Sequence, residues 1–143
     1  MSKPVLCALE LNDPALDEKV LTKAVRLAEL DGAQLDVVNV LPDFGESWVS
    51  GFFEAHHHEK AVKDTTQRLS DLCARVLGED RNAKVRHLVA TGTAYQEILK
   101  VAETAGSGLI VIGAHKPDLK DYLLGPNAAR VIRHSDCSVF VVR

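Results

Sequence analysis

The sequence has 143 residues, 46% hydrophobic and 26% charged, with a formal net charge of −3. That length buries a sizeable core, so a single domain over residues 1–143 is expected and the composition argues against intrinsic disorder. The charge supplies no basic field for a nucleic-acid backbone, and no run of about 18 apolar residues exists to span a bilayer.

In chain order, Val5 to Leu9 is a short apolar run of the kind a buried strand needs. Asn12-Asp13-Pro14 is a turn and helix-cap signal. Leu16, Val20, Leu21, Ala24, Leu27, Ala28 and Leu30 then recur at helical spacing until Gly32 ends the helix. Residues 34–41 (QLDVVNVL) read as a second strand, closed by Pro42-Asp43. Residues 43–54 read as an irregular loop, with two glycines and Trp48, Phe52 and Phe53 as packing aromatics. A second amphipathic helix from about Ala55 to Gly78 rests on Ala61, Val62, Leu69, Leu72, Cys73, Val76 and Leu77.

Val85 to Ala90 is the third strand, ended by Thr91-Gly92, and Tyr95, Ile98, Leu99, Val101 and Ala102 mark a third helix. Leu109 to Ile112 is a fourth strand, apolar on both faces and stopped by Gly113. After a loop to Gly125, Ala128, Ala129, Val131 and Ile132 mark a fourth helix, and Ser138 to Val142 is the last strand. Strict alternation of strands and helices implies an α/β fold, a mainly parallel sheet with helices on both faces.

Open sheets of this kind bind ligands beyond the carboxyl ends of their strands. Informative residues stand at three such ends: Glu10 to Asp13, Val40 to Pro42, and Gly113 to Lys116. The last is the best anion candidate. Gly113 permits sharp reversal and close backbone approach, Gly125 precedes a helix whose first amides attract phosphate, and Lys116 and Lys120 add positive charge.

Other constellations carry less. His56-His57-His58 is followed by Glu59, but adjacent helical histidines point apart and ligand pairs need i,i+4 spacing, so no metal site is expected. Arg133 and His134 suit the negative end of the last helix. Cys7, Cys73 and Cys137 form neither a disulfide framework nor a CxxC pair, which fits a reducing cytoplasm. No cysteine has a sequence-adjacent base, and no catalytic residue is expected.

The segment LIVIGAHKPDLKDYLLGPNAARVIRHSDCSVFVVR (109–143) resembles the C-terminal half of universal stress proteins. The opening PVLCALELND and LDVVNVLP resemble the family's first two strands and their loops. The resemblance implies a doubly wound, Rossmann-like open sheet of five parallel strands in the order 3-2-1-4-5. It also implies a homodimer through the last strand, an unidentified regulatory protein partner, and ATP as ligand, with Mg²⁺ accompanying it and at most slow hydrolysis. One branch of the family binds ATP through Gly-x-x-Gly, nine residues, then Gly-Ser or Gly-Thr. Here Gly113, Lys116, Gly125 and Pro126 stand against those positions: two of the four residues depart, and eight residues rather than nine separate Lys116 from Gly125. His115-Lys116-Pro117 resembles a branch with His-Arg-Pro at this place.

By the same resemblance Glu10 stands where an aspartate is usual, positioned to accept from a ribose hydroxyl or the adenine amino group, and Val40 offers backbone to adenine. Ala8 and Leu9 before Glu10, Ile112 before Gly113, and Asn127 after Pro126 complete the implied set. Proline lacks a hydroxyl and an N–H but fits the first turn of a helix, and Lys116 brings a countercharge that glycine does not. If these departures abolish binding, the alternative is a dimeric interaction module without nucleotide. No membrane insertion and no nucleic-acid partner are expected.

Overall fold

The structure, a computed structural model, describes residues 2–42, 51–114 and 125–143, with the side chains of residues 51–56 and the surroundings of Gly125 excepted. Its strands are β1 (Val5–Ala8), β2 (Leu35–Leu41), β3 (Arg86–Thr91), β4 (Leu109–Gly113) and β5 (Ser138–Val142). Its helices are α1 (Pro14–Asp31), α2 (Gly51–Leu77), α3 (Glu79–Asn82), α4 (Ala94–Ala105) and α5 (Gly125–His134). All four strand pairings are parallel, in the order β3-β2-β1-β4-β5. This is the expected doubly wound sheet.

The two-residue period of the strands divides the core. Val5, Cys7, Val37 and Val111 face α1 and α2, meeting Val20, Leu21 and Ala24 of one helix and Leu69, Leu72 and Cys73 of the other. Leu6, Ala8, Val38, Ile110 and Ile112 face the opposite way, onto Ile98 and Ala102 of α4 and Ala128 and Val131 of α5. The central strand β1 is buried throughout, whereas β5, at the edge, alternates exposed and covered positions. The expectation of strands buried on both faces therefore holds at the centre of the sheet and fails at that edge.

Helix α1 starts and stops as its sequence signals. The Asp13 carboxylate accepts from the Leu16 amide at 3.2 Å, and Pro14 opens the helix. Gly32, at φ 62°, closes it, with the Ala33 amide donating to the Ala28 carbonyl at 2.8 Å. Removing the cap by Asp13→Ala is expected to lower stability by about 1 kcal/mol, read as a lower midpoint in urea unfolding.

Beyond one-residue shifts at the ends of β1, β2 and β3, three features differ from expectation. Helix α2 begins at Gly51, so residues 51–54 are helical, and only 43–50 of the expected loop lie outside the described residues. Glycine is cheap at a helix end, and local propensity is a weak prior there. The short α3 follows Gly78, at φ 90°, and is too brief and polar to leave an apolar period. Gly113 closes β4 in register with Val142 and is not among the glycines of positive φ. It does not reverse the chain as expected. An added Cβ would lie 2.9 Å from Leu16 Cδ2 and 3.0 Å from Val20 Cγ2, so glycine there admits α1 against the strand.

Candidate functional site

The chain leaves β1 toward β2 on one side and pairs β1 with β4 on the other, so the loops after these strands diverge. Between them lies a cleft of about 380 Å³. That volume falls within the roughly 300–1,000 Å³ of small-molecule sites. Of the sequence-predicted residues, Ala8, Leu9, Glu10, Val40, Ile112, Gly113, Pro126 and Asn127 all line it. His115 and Lys116 lie outside the described residues, as do Pro117 and Lys120. Gly125 opens α5, and Pro126 is exposed beside the cleft. Proline offers no N–H, while the other amides of the first turn of α5 have no acceptor within the helix.

Sequence reasoning missed the residues that shape the mouth of the cleft. Asp17, only 3% exposed, lines it from α1. Its carboxylate accepts from the Glu10 amide at 3.1 Å and from the Leu11 amide at 2.8 Å. Asn39, buried on β2, donates from Nδ2 to the Leu9 carbonyl at 2.8 Å. Arg68 reaches from α2 to donate to the Leu11 carbonyl at 2.7 Å, and the Leu9 amide donates to the Val38 carbonyl at 2.9 Å. These bonds hold Leu11 at φ 65°, the one non-glycine residue with positive φ among those described. A left-handed L-residue costs about 1–2 kcal/mol, so the surrounding bonds must over-determine the turn.

A signal for Asp17 was present. It lies three and four residues before Val20 and Leu21, which puts an acid on the apolar face of α1. Asn39 likewise interrupts an apolar strand. Arg68 left no such signal, because its partner is 57 residues away.

Electrostatics separate the site from the neighbouring thiols. Burial pushes the Asp17 carboxyl above its ordinary value; the Glu10 and Leu11 amides and Arg68 oppose the shift, and Asp13 adds to it. Burial also holds the Cys7 thiol well above its usual range, helped by Cys73 and Asp17, and raises Cys73 to about 12. Both are inert packing groups, in keeping with their place in the core. Of the histidine triplet, His58 Nε2 lies 2.7 Å from Thr91 Oγ1, tying α2 to the end of β3, while the side chain of His56 lies outside the described residues. Among the described residues no group of three His, Cys, Asp or Glu side chains is placed to hold a metal ion. No described helix is long and apolar enough to cross a membrane.

Comparison with known proteins bears on this cleft. The model of the universal stress protein family matches residues 1–143. Universal stress protein G of Shigella flexneri is 28% identical over 149 aligned positions, covering 100% of both chains. Universal stress protein MJ0577 of Methanocaldococcus jannaschii is 32% identical over 92 residues, 64% of this chain and 56% of its own. The solved structure of MJ0577 superposes with a TM-score of 0.78 at 25% identity, covering 99% of this chain and 96% of that one. The Archaeoglobus fulgidus universal stress protein, solved in complex with dAMP, superposes at 0.63 with 23% identity over 100% and 98% of the two chains. A universal stress protein in complex with cAMP does so at 0.64 with 17% identity over 99% and 97%.

Proposed function

The chain belongs to the universal stress protein family, and on that premise we propose that it is a cytoplasmic stress-response regulator whose cleft binds an adenine nucleotide, ATP foremost. The observation that carries this reading is convergence. Eight of the eleven residues expected from the sequence to meet a nucleotide line one cleft at the split of the sheet. Fold neighbours solved with dAMP and with cAMP support the adenine class.

In this reading the backbone at Val40 meets adenine, and Glu10, with Ala8 and Leu9 before it, meets the ribose hydroxyls or the adenine amino group. Ile112, Gly113 and Asn127 border the phosphates at the amino end of α5, beside Gly125 and Pro126. Helix amides and the helix dipole favour anions there. His115 and Lys116, which follow Gly113 in the sequence and lie outside the described residues, supply countercharge in this reading, as in the His-Arg/Lys-Pro branch. Mg²⁺ would arrive on the phosphates, because the described residues offer no metal cage. The alternating exposure of β5, with Phe140 37% exposed, supports a homodimer through that edge. The whole chain acts as a single domain, with hydrolysis at most slow, no membrane insertion and no nucleic-acid partner; the regulated protein partner is unidentified.

Titration calorimetry with ATP, ADP and AMP in millimolar magnesium tests the reading. Saturable binding is expected, with Glu10→Ala weakening it on the order of tenfold through loss of a charged hydrogen-bond acceptor. Absence of heat at millimolar nucleotide would overturn it and leave the interaction module.

A further inference from the structure

The left-handed turn at Leu11 follows Glu10 directly and sets how the chain leaves β1 at the mouth of the cleft. Its two amides converge on one carboxylate, that of Asp17, which is buried and itself lines the cleft. We propose that Asp17 is a positioning residue of the nucleotide site: its ionised carboxylate fixes the Glu10–Leu11 turn, which holds Glu10 toward the ligand hydroxyls, and nucleotide binding is thereby coupled to a proton on Asp17. This rests on the nucleotide reading above and adds a regulation to it.

The chemistry is that of hydrogen-bond capacity. An ionised carboxylate accepts at both oxygens, whereas a protonated one turns one oxygen into a donor. A donor facing an amide N–H is repelled, so protonation releases one of the two amides and the left-handed residue loses its restraint. The charged and titratable groups around Asp17 are Asp13 at the start of its own helix, Arg68 from α2, Cys7 from β1, and Glu10, whose amide it holds. The β4 wall contributes Ile112 and Gly113, which do not titrate. Since burial raises the carboxyl, proton uptake begins above the ordinary carboxylate range of about 4.

The sign follows from linkage. The folded chain holds the proton more tightly than the unfolded chain, so Asp17 favours folding fully below its unfolded value and loses that contribution as pH rises through its folded value. Affinity for nucleotide runs the other way, rising as Asp17 ionises. Fold stability and binding therefore respond to pH with opposite signs, which a purely structural carboxylate would not produce.

The experiment measures ATP affinity of the wild type and of Asp17→Asn from pH 4.5 to 7.5, taking the ratio of the two at each pH so that the ligand's own titration cancels. At pH 7.5 the variant is expected to bind on the order of tenfold more weakly, with the gap closing as pH falls. A ratio that stays constant with pH, or equal affinities throughout, would overturn the proposal. In parallel, the ¹⁵N-labelled wild type without nucleotide reports the turn directly. The Glu10 and Leu11 amide resonances should shift together with the titration of the Asp17 carboxyl carbon. Amides that stay still through that titration overturn the proposal even if Asp17→Asn fails to fold. If the wild type binds no ATP, the nucleotide reading and the positioning role both fall, whereas ATP binding with still amides refutes the positioning role alone.

Discussion

Arg86→Ala is expected to lower the unfolding free energy by about 3 kcal/mol. Asp36 lies within β2 with no solvent exposure, paired in register with Arg86 on the edge strand β3. The guanidinium meets the carboxylate at both oxygens, Nε to Oδ1 at 2.6 Å and Nη2 to Oδ2 at 2.7 Å. The arginine side chain is 53% exposed. Water thus reaches one partner and not the other, which sets the loss at the lower end of the roughly 3–5 kcal/mol range for breaking a buried pair. What the alanine leaves behind is a buried charge without its counter-ion. Replacing both partners, as in Asp36→Leu with Arg86→Leu, should recover most of the loss, because it removes the charge along with its partner. Urea unfolding at pH 7 compares both variants with the wild type. A single variant within 0.5 kcal/mol of wild type would mean that the pair contributes nothing measurable.

Gly113→Val should be the most disruptive change at the cleft itself, costing about 3 kcal/mol, with Gly113→Ala nearer 1 kcal/mol. Even the alanine Cβ meets Leu16 and Val20 at 2.9–3.0 Å. Those atoms belong to side chains, so a methyl group can be accommodated by their adjustment, but two further methyl groups require α1 to move from the strand. Leu16 and Val20 also line the cleft, so displacement changes its wall and nucleotide affinity should fall together with stability. Combining Gly113→Ala with Leu16→Ala tests the contact: the cost of the first change should shrink when its opposing side chain is shortened, a coupling read from a double-mutant cycle. Additive costs would place the strain elsewhere.

Much of the fold was legible because its signals are local. Apolar runs at 5–9, 109–112 and 138–142 alternate with helical periods, and Asp13-Pro14 and Gly32 bound α1 where they should. The errors lie where a distant neighbour decides. Gly113 was read through its freedom to turn, yet its conformation is ordinary and its smallness serves α1, nearly a hundred residues earlier. Glu10, Val40 and Gly113 were legible as strand-end residues because an open sheet places such ends around a cleft, whereas Ala8, Leu9 and Ile112 entered with the family resemblance. Asp17 and Asn39 stood out only as polar residues at apolar positions and Arg68 not at all, because their role is to hold backbone groups of Leu9, Glu10 and Leu11, and the bonds that do so are invisible until the loop exists.

The position of β1 also has a consequence for synthesis. Val5 pairs with Leu35 on one side and with Leu109 on the other. A chain emerging from the ribosome can join β1, β2 and β3 while its last third is still unmade. The second wall of the cleft, from β4 and α5, is made later. A ligand that needs both walls then adds its binding energy only to chains in which β4 and α5 have been made. Chains that lack that wall gain no such protection, and on the proposed reading bound nucleotide becomes a mark that both walls are in place.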